Sequence, residues 1–227
     1  MILRYLMSPM PFADKIMYIV FGAAAVLFVL SAHEWAHGMV AYWMGDRTAK
    51  NMGRLTLNPL KHLDPMGAVC MLLFGFGWAK PVPIRARNFK KVRLGIILTS
   101  AAGPLMNFII GFISIFFYYL IVLLWGSTMG NVGENLTLLL SIVASVSIGL
   151  GVFNLIPLPP LDGSKIVGEL LPMKWRFKYY SIERYSTFIF IGLILALEYF
   201  NFISPIIMWL FSLFSGGALS IIFYLFM

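Results

Sequence analysis

Ser31-Ala32-His33-Glu34-Trp35-Ala36-His37-Gly38 stands inside an otherwise apolar run, residues 16–44, of a 227-residue chain. About 20 consecutive apolar residues suffice to cross a bilayer as a helix. Ionisable side chains are costly there and mark function. The stretch holds two of the chain's three histidines. At 1.5 Å and 100° per residue, His33 and His37 lie one turn apart on one helix face, about 6 Å along the axis. That spacing lets two imidazoles bind a single metal ion, with Glu34 placed to reach a water on it. The other reading is a hydrogen-bonded histidine pair beside a polar cavity, which leaves a glutamate between them without an economical partner.

The rest of the sequence agrees with a membrane setting. Hydrophobic residues make up 60% of the chain and charged residues 11%, against about 45–50% and about 25% in soluble domains. A water-soluble globule and a disordered chain are therefore excluded, and a lone cysteine, Cys70, excludes a disulfide scaffold. Further spans are expected at 94–125 and 136–157. Residues 186–227 are long enough for two passes, with a break at 201–205. The run 66–79 is too short to cross and is interrupted by Gly67, Gly75 and Gly77, which suits a re-entrant loop or hairpin. The expected architecture is an all-α multi-pass membrane protein of five to six spans. It forms a single domain over 1–227, with a core at about 16–170 and C-terminal helices at about 186–227.

The charge pattern gives an orientation. Of the 17 lysines and arginines, ten lie between Arg47 and Arg93, five lie between Lys165 and Arg184, and none lies in 126–135. Under the positive-inside rule, loops 46–93 and 163–185 face the cytoplasm of a cell membrane and loop 126–135 faces outward. The net charge of +8 is thus a topological signal. No soluble basic fold is present to bind nucleic acid.

Two imidazoles leave a tetrahedral zinc site half empty, and a catalytic site takes three protein ligands plus water. Asp46 follows Gly45 just after the first span and reads as a solvated cap. Asp162 ends the proline-rich stretch 154–163, which the third span delivers to the depth of His37, so Asp162 is the better third ligand. It also suits the N-cap of a helix starting near Gly163. With two histidines and a carboxylate, zinc is the first expectation. Asn107 and Asn154 are neutral amides inside apolar spans, suited to stabilising an oxyanion or to interhelical hydrogen bonding. The proline-extended segment 80–85 is a candidate strand edge for an unwound substrate. His62, beside Lys61 and Asp64, reads as solvated.

HEWAH at 33–37, GPLMN at 103–107 and NLIPLPPLDG at 154–163 resemble the site-2 protease family of intramembrane metallopeptidases, peptidase family M50. KHLDPMG at 61–67 and GWAKPVP at 77–83 resemble its compact branch, without PDZ or CBS domains. The resemblance spans roughly residues 20–170. It implies a core of three transmembrane helices and one zinc ion per chain held by His33, His37 and Asp162. Glu34 is then the catalytic glutamate, and the two motif asparagines lie near the metal. The implied substrates are transmembrane polypeptides. The competing reading is a transporter or metal-permeation protein using the same residues as an ion site, and the chain lacks the duplicated halves usual in transporters.

Overall fold

The computed structural model describes residues 9–67, 70, 79–126, 129–200 and 203–226. Helix α1 (Phe12–Trp43) starts after Pro11, carries Asp14 in its first turn and is followed by the short α2 (Thr48–Asn51). An acidic side chain suits the positive end of the helix dipole. Next come α3 (Val92–Trp125), α4 (Asn131–Asn154), α5 (Asp162–Leu170), α6 (Met173–Tyr180), α7 (Ser186–Phe200) and α8 (Ser204–Phe226). The described residues contain no strand, only an isolated antiparallel bridge between Leu63 and Ala79. The all-α multi-pass architecture holds.

Among the described residues, four helices are long and apolar enough to span a membrane: α1, α3, α4 and α8 over Ser204–Leu225. This differs from the expected five to six. The reason is α7, whose 15 residues rise only about 22 Å, short of a hydrocarbon core of roughly 30 Å. The expected re-entrant run 66–79 lies outside the described residues except for Met66, Gly67, Cys70 and Ala79.

Helices α1, α3 and α4 pack on one another, and α8 lies against α3 and α4. The buried stripe of α1 is made of small residues, including Gly22, Ala25, Ala32, Ala36 and Ala41. Small residues let helix backbones approach closely where lipid offers no hydrophobic drive to associate. Val29 and Val143 close the α1–α4 contact. Ile115, Ala144, Ile148 and Ala218 form a second core, over which Phe108, Phe112 and Phe214 are stacked edge-to-face. Large side chains such as Phe28, Ile109, Ile113 and Phe117 are exposed on the outside, as a lipid-facing surface requires.

The loops at the end of the bundle where α1 finishes and α3 begins are fixed by polar contacts, and they correct two expectations. Asp46 is not a solvated cap: it is 1% exposed. It accepts hydrogen bonds from the N–H of Thr48 and of Arg85 and from the Asn88 amide. Burial opposes ionisation of Asp46. The donors from Arg85, Thr48 and Asn88 outweigh it and hold the carboxyl below its ordinary range. His62 is likewise buried, with Nε2 2.7 Å from the Thr56 carbonyl. In both cases the partner comes from a loop that local polarity does not reveal.

Candidate metal centre

His33 and His37 both lie on the buried side of α1. A helix one turn apart brings their Nε2 atoms to 2.9 Å. The third donor arrives 125 residues later in sequence from the end of α4. There the 157–160 prolines block further helix, and the chain turns into α5 at Asp162. The turn is tight: a Cβ on Gly163 would sit 2.2 Å from the Leu155 carbonyl oxygen, so only glycine fits after Asp162. Asp162 is the first residue of α5 rather than its N-cap, which is Leu161. Its Oδ2 lies 3.2 Å from His33 Nε2 and 2.9 Å from His37 Nε2.

All three side chains are buried, and among the described residues they form the one histidine, cysteine and carboxylate group able to hold a metal ion. The donor chemistry fits a cation. His37 Nδ1 is 2.6 Å from the Thr99 carbonyl, which can only accept, so the proton of a neutral His37 is on Nδ1. Its Nε2 lone pair then faces the Asp162 carboxylate, and two acceptors 2.9 Å apart require a positive charge between them. The three donors are 2.9–3.2 Å from one another. Neighbouring ligand atoms around tetrahedral zinc, with bonds of about 2.0–2.1 Å, are about 3.3 Å apart. Helix α3 closes on the two imidazoles at Gly103, where a Cβ would come within 2.4 Å of His37 Nε2 and 2.6 Å of His33 Nε2.

Further contacts hold these three side chains in place. The Thr99 carbonyl orients His37, and Lys165 Nζ engages the other Asp162 oxygen at 3.1 Å. In metal sites such partners fix the orientation of the ligating side chains. Helix α5 is tied to α3 and α6 through Glu169. Its backbone carbonyl accepts from Arg93 Nε at 2.6 Å. Its carboxylate meets Arg176 at 3.1 Å and the Tyr180 hydroxyl at 2.9 Å. Burial, with the Glu169 contact next, pushes the Tyr180 hydroxyl up to about 12.

A cavity of about 480 Å³ opens onto His33, Glu34 and His37 and is walled by Val82, Ile84, Asn154 and Lys165. Glu34 faces it with Oε2 accepting the N–H of Val82 at 2.9 Å. The two asparagines part company. Asn154 lines the cavity while its Nδ2 donates to the Leu150 carbonyl. Asn107, one turn along α3 from Gly103, is outside the cavity lining; it is wholly buried and its amide has no partner among the described residues. Segment 80–85 is neither helix nor strand, with Arg85 in an extended conformation, and it borders the cavity through Pro81, Val82 and Ile84. Sequence reasoning missed Thr99, Lys165 and the Val82 amide. Lys165 had a signal, since it is three residues from Asp162 on a short helix. The other two act through backbone atoms, which carry none.

Comparison with known proteins bears on the chain as a whole. The model of the family described as Peptidase family M50 matches residues 127–197, a stretch that includes Asp162. A Bacillus subtilis protein named "Putative zinc metalloprotease YwhC" is 45% identical over 161 residues, covering 71% of this chain and 74% of that protein. "Zinc metalloprotease MJ0392" of Methanocaldococcus jannaschii is 32% identical over 158 residues, 67% of this chain and 36% of its own. "Putative zinc metalloprotease Rip2" of Mycolicibacterium smegmatis is 30% identical over 148 residues, 62% of this chain and 53% of its own. No solved structure matches. None of these similarities favours a permeation protein.

Proposed function

The chain belongs to peptidase family M50, and we propose that it is a zinc metalloendopeptidase that hydrolyses peptide bonds within or beside the membrane-spanning segments of other polypeptides. The observation that carries this reading is the meeting of His33, His37 and Asp162 within 3.2 Å, beside a cavity that also presents Glu34. One zinc ion per chain, held by these three residues, would polarise the scissile carbonyl and lower the pKa of water to about 7.

The chain's own groups supply the rest. Glu34 takes the proton of the attacking water and later delivers it to the departing amine nitrogen, a base that becomes an acid. Oε2 is engaged by Val82, so Oε1 is the atom free for that transfer. Asn154, at the cavity wall, offers its amide to the developing oxyanion. Asn107 has the same chemistry at greater depth, with both polar atoms uncommitted. The half-exposed Lys165 keeps the second Asp162 oxygen occupied, so that Oδ2 alone serves the metal.

A helical substrate must unwind before its peptide bond is accessible, and unwound backbone in lipid needs hydrogen-bonding partners. Segment 80–85 can provide them. Among the described residues nothing pairs with the carbonyl of Val82 or with the N–H and carbonyl of Ile84. The cavity end of the bundle is the end bearing both basic loops, which puts it on the cytoplasmic side under the positive-inside rule.

The experiment is cleavage of a co-reconstituted single-pass polypeptide, with bound zinc measured in parallel. Glu34→Gln should retain zinc and lose cleavage by at least about 10³-fold. Retained cleavage in that variant removes the mechanism. A wild type that does not cleave, with ion flux altered in Glu34→Gln, points to the permeation reading instead.

A further inference from the structure

The segment after Ala79 is tied down at both ends without help from Glu34. Ala79 is bridged to Leu63, and the Lys80 N–H donates to the His62 carbonyl at 2.8 Å. The Arg54 guanidinium clamps the carbonyls of Lys80 and Pro81 at 2.8 and 3.2 Å. Downstream, the Arg85 N–H donates to buried Asp46 at 2.6 Å, and the Lys90 N–H to the Met44 carbonyl at 3.0 Å.

Between these anchors lies Pro81-Val82-Pro83, in which the prolines have no N–H. Val82 therefore holds the one donor in the triplet, and it points at Glu34 Oε2 from 2.9 Å. Val82 is 5% exposed. It rests on Gly38, one turn beyond Glu34 on α1, where a Cβ would stand 3.2 Å from Val82 Cγ1. Side chain and amide are thus both seated on the helix that carries the glutamate.

We propose that the Val82 backbone amide is a positioning group for Glu34. It fixes the carboxylate rotamer so that Oε1 faces the water-bearing side of the cavity, making the proline segment part of the proton-transfer apparatus as well as a wall. The proposal rests on the reading of Glu34 as the base. The prolines on either side give it selectivity, because no neighbouring amide can compete for the carboxylate.

The direct test replaces Val82 by its α-hydroxy acid, converting the 81–82 amide to an ester that lacks the N–H but keeps the side chain. Val82→Pro removes the same donor genetically, and Val82→Ala keeps it. With a single-pass reporter in liposomes, the ester and Val82→Pro forms should lose about 10- to 100-fold in kcat, the range for one hydrogen bond to an ion. KM and bound zinc should stay unchanged, and Val82→Ala, which keeps the N–H, should lose less in kcat than either of those two forms. A second readout needs no substrate: the infrared carboxylate band that disappears in Glu34→Gln should shift in the ester form. An unshifted band, wild-type kcat in the ester form, or a fall in kcat that tracks zinc loss overturns the proposal. Failure of the metallopeptidase reading looks different, since Glu34→Gln itself would then keep its activity.

Discussion

Asp46 and Asp162 each follow the end of a membrane-spanning helix, each beside a loop rich in basic residues, and each is buried, at 1% and 7% exposure. Their surroundings differ in one respect. Asp46 meets only donors: two backbone N–H groups, the Thr48 hydroxyl and the Asn88 amide. Asp162 meets one lysine ammonium and two imidazole nitrogens, and in a neutral His37, whose Nδ1 proton goes to the Thr99 carbonyl, Nε2 presents a lone pair. A carboxylate saturated by donors is structural, and it pins the 85–88 loop to the end of α1. A carboxylate opposed by a lone pair is unfinished until a cation joins it. Both are buried carboxylates, and the free electron pair of a neutral His37 separates the two.

The largest effect that sharpens this contrast is on metal. Asp162→Ala should lower zinc affinity by at least about 10²-fold and cleavage with it, whereas Asp46→Ala should keep stoichiometric zinc; metal analysis after dialysis reads both. Gly103→Ala comes next. A methyl group 2.4 Å from His37 Nε2 must push α3 or the rings aside, at about 1–3 kcal/mol of stability, with zinc loss visible in the same dialysis.

Asp46 itself should show in stability against pH. Its carboxyl is held below 3.8 in the folded protein. Its contribution is therefore complete above that value and is lost as pH falls through the depressed folded pKa. The melting temperature of the wild type should drop below about pH 4 more steeply than that of Asp46→Asn. Equal slopes would return Asp46 to the solvated role. The smallest effect belongs to the C-terminal helices. Phe214→Ala loses its contacts to Phe108 and Phe112 and should destabilise the fold by about 3 kcal/mol, with zinc affinity unchanged.

The spans were legible because hydropathy and length decide them. Three expected spans, 16–44, 94–125 and 136–157, correspond to α1, α3 and α4 within five residues at each end. The largest shift is at α4, which starts at Asn131 because its polar first turn, with Glu134, is helical without being apolar. It ends at Asn154 because Pro157 disfavours helix before it. The His-x-x-x-His face was legible for the same reason, since helix periodicity fixes it. The joining of Asp162 to that face was readable only through topology. The roles of Asp46, His62, Thr99 and Val82 were not readable, because each depends on a backbone group six to 62 residues away that loop paths alone bring near.

The most direct test of a single ion clasped by both ends of the core is zinc X-ray absorption on the purified protein, with Asp162→Ala alongside. The expected spectrum is one zinc per chain with two imidazoles and carboxylate or water oxygens at about 2.0–2.2 Å, and with the carboxylate contribution lost in the variant. A zinc whose spectrum is indifferent to Asp162, or a chain that holds no zinc at neutral pH, would contradict the account.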